Sequence, residues 1–350
     1  MQLREDILRL NEAAAALSSF VDALRAEVAS VLVGQEQTLR SLLVGLLAGG
    51  HVLLEGVPGL AKTLAVRTMA RALNLSYRRV QFTPDLLPAD IVGTMVWNPG
   101  QSTFEAKPGP VFAHVVLADE INRAPAKVQS ALLEAMEERT VTLGDTTHPL
   151  PRPFLVLATQ NPVEQEGTYP LPEAQIDRFM LKVEVTYPSR EEEREILDRM
   201  TRVDPPAARP VVRPEQIREA LRLVRAIHVD DRIKDYIVAL VRATRDPDSV
   251  GLRPSMLLPG ADREAGASGQ VLAMTDLLRY GCSPRATIFL TQAARAQAFL
   301  DKRGFVTPSD VRAVAIQVLR HRISVSYEGE ARGLTADLLL RAILAKVPLP

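Results

Sequence analysis

The most informative segment of the sequence is Glu55-Gly56-Val57-Pro58-Gly59-Leu60-Ala61-Lys62-Thr63. It follows the apolar run His51–Leu54 and continues into a helical pattern. A strand, a glycine-rich loop and a helix amino terminus together suit a triphosphate, because loop N–H groups surround the phosphates. Lys62 adds a positive charge and Thr63 offers a hydroxyl to Mg²⁺. The predicted nucleotide contacts are Gly56, Val57, Pro58, Gly59, Leu60, Ala61, Lys62, Thr63 and Leu64.

The loop departs from the strict phosphate-binding pattern at one position, where Ala61 stands in place of glycine. Alanine fits there if its φ is negative, so this departure weakens the match to the pattern without excluding it. The alternative interpretation is a tight glycine turn before a helix, with no ligand. The strand and the helix on either side of the loop disfavour that alternative.

Short apolar runs alternate with helical patterns from residue 40 to about residue 186. Strands separated by helices predict an α/β fold, with a parallel sheet and helices on both of its faces. The predicted core strands are His51–Leu54, Tyr77–Phe82, Val111–Ala118, Phe154–Thr159 and Phe179–Val185.

Two segments interrupt this alternation and are predicted to be β-hairpins. The first pairs Thr94–Trp97 with Thr103–Ala106 around an Asn-Pro-Gly turn. The second pairs Thr140–Leu143 with Thr147–Leu150 around a Gly-Asp turn.

Two carboxylates, Asp119 and Glu120, directly follow the third predicted strand. In a phosphate-loop fold such a strand ends beside the Mg²⁺ site. We expect Asp119 to hold Mg²⁺ together with Thr63, partly through water, and Glu120 to polarise the water that attacks the γ-phosphate. Without the loop upstream, the same pattern would indicate only an exposed strand end.

Three further polar residues are candidates for the reaction. Asn161 follows the fourth strand, where its amide can position the attacking water, although an Asn-Pro pair is also a common turn. Arg178 precedes the fifth strand. Arg285 lies in the first turn of a helix capped by Ser283, where a cation opposes the helix dipole unless both bind an anion. The alternative for either arginine is a plain surface charge.

The pattern divides the chain into four parts. Residues 1–30 form one amphipathic helix, for which a coiled-coil contact is the alternative to packing within the chain. Residues 31–203 form the phosphate-loop core, and residues 204–214 form a proline-rich linker. Residues 215–350 read as a helical domain with a long loop near residues 251–281.

Composition excludes several classes of protein. The 350 residues carry 42 basic and 42 acidic side chains, so no overall positive field favours nucleic acid. The single cysteine, Cys282, excludes an internal disulfide framework and a cysteine-based zinc site. The longest uncharged apolar run, residues 41–54, is shorter than a membrane span. The charged amino terminus is unlike a signal peptide, and we expect a soluble, cytoplasmic protein.

Four ordered motifs resemble the MoxR family of AAA+ ATPases, in its chelatase-like, helix-two-insert clade. They are Gly56-Val57-Pro58-Gly59-Leu60-Ala61-Lys62-Thr63, Ala118-Asp119-Glu120-Ile121-Asn122-Arg123-Ala124, Ala158-Thr159-Gln160-Asn161-Pro162 and Gly281-Cys282-Ser283-Pro284-Arg285-Ala286. The resemblance covers the chain from about residue 30 to its end, and Ala61 matches the usual loop of that family. The segment Arg253–Thr275 is longer than that family leads us to expect.

The resemblance implies a core sheet of order 5-1-4-3-2, a helical lid and a hexameric ring that binds ATP and Mg²⁺. It implies that Asn161 is sensor one, Arg178 the arginine finger and Arg285 sensor two. The segment Val33-Gly34-Gln35 resembles the part of the family that lines the adenine pocket. Family members are thought to remodel protein partners, often proteins with a von Willebrand factor A domain, and sometimes to help metal or cofactor insertion.

The sequence therefore predicts a Mg²⁺-dependent ATPase that remodels a protein client. A DNA-acting motor is one alternative, but its pore hairpins should carry Lys or Arg, and residues 140–150 contain Asp145 and His148 and neither Lys nor Arg. A nucleotide-gated scaffold with little turnover is the other. The presence of both Asp119 and Glu120 argues against a scaffold.

Overall fold

The computed structural model describes residues 2–161, 168–204, 206–258 and 273–350. The chain divides into two compact units. One is Ala16–Leu223, and the other combines the residues up to Ala15 with Val224–Pro350. This division differs from the predicted one, because the start of the first helix groups with the second unit. There, the Gly304 N–H donates to Asn11 Oδ1 at 3.2 Å.

The first unit contains a five-stranded parallel sheet and two hairpins. Its strands are β1 (Val52–Glu55), β2 (Tyr77–Gln81), β3 (Gly93–Asn98), β4 (Thr103–Pro108), β5 (Val115–Asp119), β6 (Thr140–Leu143), β7 (Thr146–Pro149), β8 (Leu155–Gln160) and β9 (Leu181–Glu184). The helices up to this point of the chain are α1 (Gln2–Leu17), α2 (Ser19–Val31), α3 (Glu36–Ala48), α4 (Lys62–Ala72), α5 (Pro88–Val92), α6 (Ala126–Glu138), α7 (Glu173–Ile176) and α8 (Arg190–Met200).

The order of the five parallel strands is β2-β5-β8-β1-β9. Numbered as core strands, this is the predicted order 5-1-4-3-2 read from the other edge, so that prediction is confirmed. The inner strand β5 is buried along its whole length, which explains its continuous apolar sequence. Because the strands are parallel, their last residues lie together at the carboxyl end of the sheet. These residues are Gln81, Asp119, Gln160 and Glu55.

The amino-terminal helix is interrupted, and the prediction of one continuous helix was wrong. α1 ends at Leu17 and α2 begins at Ser19. The interruption comes at Ser18, which is fully buried, and serine competes with the helix for backbone hydrogen bonds. The seam positions Ala14, Val21 and Leu24 are buried within this chain.

The first hairpin packs its base, and not its aromatic tip, against the core. Met95 lies opposite Ala106, and both contact the buried core cluster. Trp97 lies opposite Phe104, with ring centroids 5.1 Å apart, and these side chains are 49% and 63% exposed. Trp97 is therefore not the anchor of this insertion. Met95 also packs against Gly144 in the turn of the second hairpin.

The proline-rich segment is attached to the first unit. The N–H groups of Val211 and Val212 donate to the Ala72 carbonyl at 2.9 and 3.2 Å. This contact joins the proline-rich segment to the unit, which extends beyond residue 203 to Leu223.

The second unit is mainly helical. Its helices, with one that crosses the boundary, are α9 (Pro214–Ala226), α10 (Asp231–Ala243), α11 (Pro254–Leu257), α12 (Pro284–Leu300), α13 (Pro308–Leu319), α14 (Tyr327–Ala331) and α15 (Ala336–Lys346). It also has a short antiparallel sheet of β10 (Leu278–Tyr280) and β11 (Ser324–Val325), which the all-helical prediction did not include. Strands of two or three residues are too short to show an alternating pattern.

The long loop predicted near residues 251–281 contains short elements at both ends, among them α11 and a 3-10 turn at Thr275–Leu277. Residues 259–272 of this segment lie outside the described residues. Among the helices that the structure describes, none combines the length and the apolar character needed to cross a membrane.

Candidate nucleotide-binding site

The loop between β1 and α4 has the geometry of a phosphate cradle. Gly56 passes so close to the residue after β9 that a side-chain Cβ would lie 2.7 Å from the Val185 carbonyl oxygen, so only glycine fits. Gly59 has a φ of 86°, in the left-handed region. The loop then turns into the amino terminus of α4, which begins at Lys62.

Ala61 also adopts a left-handed conformation, with φ 55° and ψ 21°. The negative φ under which an alanine would fit without strain is therefore not what the structure shows. A left-handed alanine costs roughly 1–2 kcal/mol, since its Cβ crowds the following carbonyl. Such local strain is concentrated at functional sites, where the backbone must point its N–H groups toward a ligand.

Lys62 reaches back across the loop. Its Nζ donates to the Gly56 carbonyl and lies 3.4 Å from the Val57 carbonyl oxygen. Burial lowers the pKa of Lys62, while the negative charges of Asp119 and Glu120 act in the opposite direction. The half-buried ammonium group is thus partly desolvated beside carboxylates and lines the cavity that an anion would enter.

Asp119 is the last residue of β5 and Glu120 follows it, as predicted. Thr159 of β8 forms hydrogen bonds with both residues. Thr159 Oγ1 donates to Asp119 Oδ1 at 2.6 Å and accepts from the Glu120 N–H at 2.8 Å. The other oxygen, Asp119 Oδ2, lies 3.5 Å from Thr63 Oγ1. A carboxylate and a hydroxyl are oxygen ligands of the kind that Mg²⁺ takes alongside phosphates, so Thr63 and Asp119 fit a Mg²⁺ ion.

Two residues of β2 hold the acids in place. Arg79 donates to Asp119 Oδ2 through Nε at 2.9 Å and through Nη2 at 2.7 Å. Gln81 donates to Glu120 Oε2 at 2.7 Å, and Arg123 forms an ion pair with the same oxygen at 3.1 Å.

The sequence patterns do not single out Arg79, Gln81 or Thr159. Arg79 and Gln81 are two residues apart, so the strand period places both on one face of the edge strand β2. To infer from this that they contact the acids, one must also know that Gln81 pairs with Asp119 in the sheet, and a single sequence does not give that register.

One cavity of about 470 Å³ collects most of the predicted nucleotide residues. Asn161, which is 7% exposed, lies on its wall after the end of β8. The lining consists of Pro58, Gly59, Leu60, Ala61, Lys62, Thr63, Leu64, Arg67, Arg79, Asp119, Glu120, Thr159, Gln160 and Asn161.

The segment Val33-Gly34-Gln35 lies beside the phosphate loop. Gln35 donates through Nε2 to the Leu60 carbonyl at 2.9 Å. Val33 and Gly34 line a second cavity, of about 420 Å³, together with residues of α2 and α8 that include Arg199. The hydrogen bond from Gln35 places this segment beside the loop, and its role in an adenine pocket stays a prediction.

Arg178 lies at the other end of the sheet. It precedes β9, whose first residue Leu181 pairs with Val52 at the start of β1, whereas the phosphate loop follows the end of β1. Its Nε forms an ion pair with Glu137 of α6 at 3.1 Å.

Arg285 is the second residue of α12 and belongs to the other compact unit, so its predicted role stays a prediction.

Comparisons with known proteins agree with this geometry. Residues 51–181 match the ATPase family associated with various cellular activities (AAA), and residues 272–343 match the AAA lid domain. The chain is 46% identical over 324 residues to Chaperone MoxR1 of Mycobacterium tuberculosis, covering 93% of this chain and 81% of that protein. It is 34% identical over 341 residues to Protein MoxR of Methylorubrum extorquens, covering 93% of each. The crystal structure of a candidate ATPase from Cytophaga hutchinsonii is similar over 98% of this chain and 99% of that one, with 45% identity and a TM-score of 0.86.

Proposed function

The chain belongs to the MoxR family of AAA+ ATPases, and from this premise we propose that it hydrolyses ATP with Mg²⁺ to remodel a protein client. The observation that carries the proposal is the single cavity in which the phosphate loop, both acids and Asn161 meet. A binding module needs the loop alone. A hydrolase also needs a base and a means to orient water, and this cavity offers both.

In this proposal the loop N–H groups and Lys62 hold the β- and γ-phosphates. Thr63 and Asp119 hold Mg²⁺, which neutralises charge on the phosphate oxygens when it is bound. Glu120 accepts a proton from the attacking water, and Asn161 orients that water. The new bond forms between the water oxygen and the γ-phosphorus as the bond to the bridging oxygen of ADP breaks.

We further propose that the chain works as a ring, with six subunits as in the resembling family. Arg178 is separated from its own phosphate loop by the length of the sheet, so a role on phosphate requires the loop of a neighbouring subunit. Because the Arg178 guanidinium reaches the phosphates of a neighbouring subunit only after assembly, the rate of hydrolysis depends on formation of the ring.

The client is proposed to be a protein. The relative named Chaperone MoxR1 supports this class of partner, and the exposed Trp97 and Phe104 offer an apolar contact surface. A von Willebrand factor A domain protein, with metal or cofactor insertion as the outcome, and a cytoplasmic location stay predictions. The DNA-motor alternative gains no support from the second hairpin, since residues 140–150 contain no Lys or Arg.

The test of turnover is Glu120→Gln. We expect this variant to bind ATP about as tightly as the original protein and to lose roughly 10²–10⁴-fold in kcat, because the base is removed while the phosphate contacts remain. Lys62→Ala should instead weaken binding. Steady-state phosphate release and equilibrium nucleotide binding separate the two effects.

Glu134→Gln is the matched control, since Glu134 is an exposed carboxylate on α6. It should leave both quantities within two-fold. Undiminished turnover in Glu120→Gln contradicts the role of Glu120. ATP binding without turnover in the original protein favours the scaffold alternative.

A further inference from the structure

Arg79 occupies the carboxylate oxygen that the proposed Mg²⁺ site needs. Asp119 has two oxygens, and Oδ1 accepts the Thr159 hydroxyl at 2.6 Å. The remaining oxygen, Oδ2, lies toward Thr63 but receives two N–H donors from the Arg79 guanidinium, at 2.9 and 2.7 Å. A cation and its hydration shell that approach Oδ2 therefore meet another cation already in place.

The guanidinium is also held from a second direction. Its Nη2 donates to Gln81 Oε1 at 2.7 Å, and Gln81 donates in turn to Glu120. Both acids are thereby connected to β2 through one chain of hydrogen bonds. The contact is made by side chains alone, and the Arg79 side chain is 49% exposed, so the arginine has room to leave without moving the strand.

We propose that Arg79 is a counter-ion of Asp119 that competes with Mg²⁺ and is displaced when the metal–nucleotide complex loads. The proposal rests on the proposed function, because it places the metal at Asp119 and Thr63. Arg79 sets the Mg²⁺ concentration at which the site fills, and it balances the buried charge of Asp119 until then.

The nucleotide favours the exchange. Arg79 lines the same cavity as the phosphate loop, so a guanidinium released from Asp119 remains next to the incoming triphosphate. Arg79 then exchanges the Asp119 carboxylate for phosphate oxygens. The paired N–H donors of a guanidinium can bind either group. Metal alone offers no such second partner, and metal together with nucleotide displaces Arg79 more readily than metal alone.

The experiment titrates Mg²⁺ against the binding of a fluorescent, non-hydrolysable ATP analogue and reads the Mg²⁺ concentration at half-saturation. Arg79→Gln should lower that concentration by up to about five-fold, the factor that corresponds to loss of a partly exposed ion pair. Arg79→Lys, which keeps the charge but not the fork, should lie between the two. Arg78→Gln is the matched control, because Arg78 is the exposed neighbour on the opposite face of β2.

A second measurement separates competition from a merely structural role. Without nucleotide and with a metal chelator, Arg79→Gln should unfold at a lower temperature than the original protein, because Asp119 loses its counter-ion. Saturating Mg²⁺ without nucleotide should shrink that difference, because the metal then takes the place of the guanidinium at Asp119 in the original protein and neutralises Asp119 in the variant. An unchanged or higher Mg²⁺ requirement in Arg79→Gln overturns the proposal. If the original protein shows no Mg²⁺-dependent binding of the analogue at all, the proposed function falls and this inference with it.

Discussion

The two ends of the five-stranded sheet hold their polar groups in opposite ways. At the carboxyl end, Lys62, Asp119 and Glu120 line an open cavity, and the two acids are hydrogen-bonded to the side chains of Arg79 and Gln81. At the amino end, His51 is fully enclosed and uses both ring nitrogens on the backbone. Its Nδ1 accepts from the Val156 N–H at 3.0 Å, so its proton is on Nε2, which donates to the Met136 carbonyl at 3.1 Å.

This difference indicates at which end of the sheet a ligand can replace side-chain contacts. Side-chain pairs around a cavity can be replaced by a ligand, whereas a buried imidazole between two strands and a helix cannot move without losing both bonds. α6 joins the two ends, since it starts shortly after the acids and carries Glu137, the partner of Arg178, near its other end. In the proposed mechanism, the amino end presents Arg178 from a fixed framework and the carboxyl end receives the ligand.

The largest expected effect comes from removing that presented arginine. Arg178→Ala should lower kcat by roughly 10³-fold or more, the loss seen when an arginine finger is absent in related phosphoryl transfer. Activity of the original protein should rise with protein concentration as subunits assemble. Mixtures of Arg178→Ala with Lys62→Ala should regain activity, because some interfaces then combine an intact loop with an intact arginine. Phosphate release measured across dilutions and mixing ratios checks both.

Arg194→Ala removes an exposed arginine of α8 and serves as the control, with activity expected within two-fold. If activity per subunit is constant down to the monomer and the mixtures show no recovery, the two ends belong to one self-sufficient site and the comparison fails.

The second prediction concerns the pH dependence of stability at the amino end. Burial lowers the pKa of His51 from 6.5 to about 4. A histidine with a depressed pKa in the folded state stabilises the protein above pH 6.5, and this contribution is lost as the pH falls toward 4, because the unfolded chain then binds a proton that the folded chain does not. The loss is on the order of 3 kcal/mol.

Urea unfolding of the original protein and His51→Gln between pH 7 and pH 4 measures this contribution. His51→Gln should be less stable at pH 7 but should lose less stability on acidification. His114→Gln is the comparison, since burial also lowers the pKa of the half-buried His114, and its effect on the slope should be smaller. Equal slopes in the original protein and His51→Gln would show that His51 does not set the acid sensitivity.

Sequence predicts the carboxyl end better than the amino end, for a physical reason. The phosphate loop and the acids are contiguous motifs attached to strands, and parallel strands bring their carboxyl ends to one edge automatically. The contacts of Arg79 and Gln81 depend on strand register, and the pairing of Arg178 with Glu137 depends on how α6 lies beneath the sheet. Neither register nor helix placement follows from local periodicity.

The third prediction concerns the first hairpin, which follows β2 and therefore the residues that hold the acids. Only the base of the hairpin packs against the core and its tip is exposed, so we expect the tip to shift when ATP binds. Trp97 is the single tryptophan of the chain and is 49% exposed, so its emission reports this shift alone. Adding ATP to Glu120→Gln protein should change the emission and its quenching by iodide, and ADP should not. Identical spectra in the apo, ATP and ADP states would make the hairpin static.

The smallest expected effect lies in the phosphate loop itself, where strain can be measured with two opposite substitutions. Ala61→Gly relieves an alanine held at φ 55°, a gain of about 1 kcal/mol that the greater freedom of glycine in the unfolded chain offsets by roughly 0.5–1 kcal/mol. The net change in the free energy of unfolding should be within about 0.5 kcal/mol of zero.

Gly59→Ala imposes the same kind of strain where φ is 86° and nothing lies within 4 Å of the added Cβ, so the cost should come from backbone conformation alone. We expect it to destabilise the folded state by about 1 kcal/mol. Both are measured by urea unfolding with and without nucleotide. If ligand binding depends on the strained loop, nucleotide should stabilise Ala61→Gly less than the original protein, whereas equal stabilisation would show that the left-handed turn is only a connection between β1 and α4.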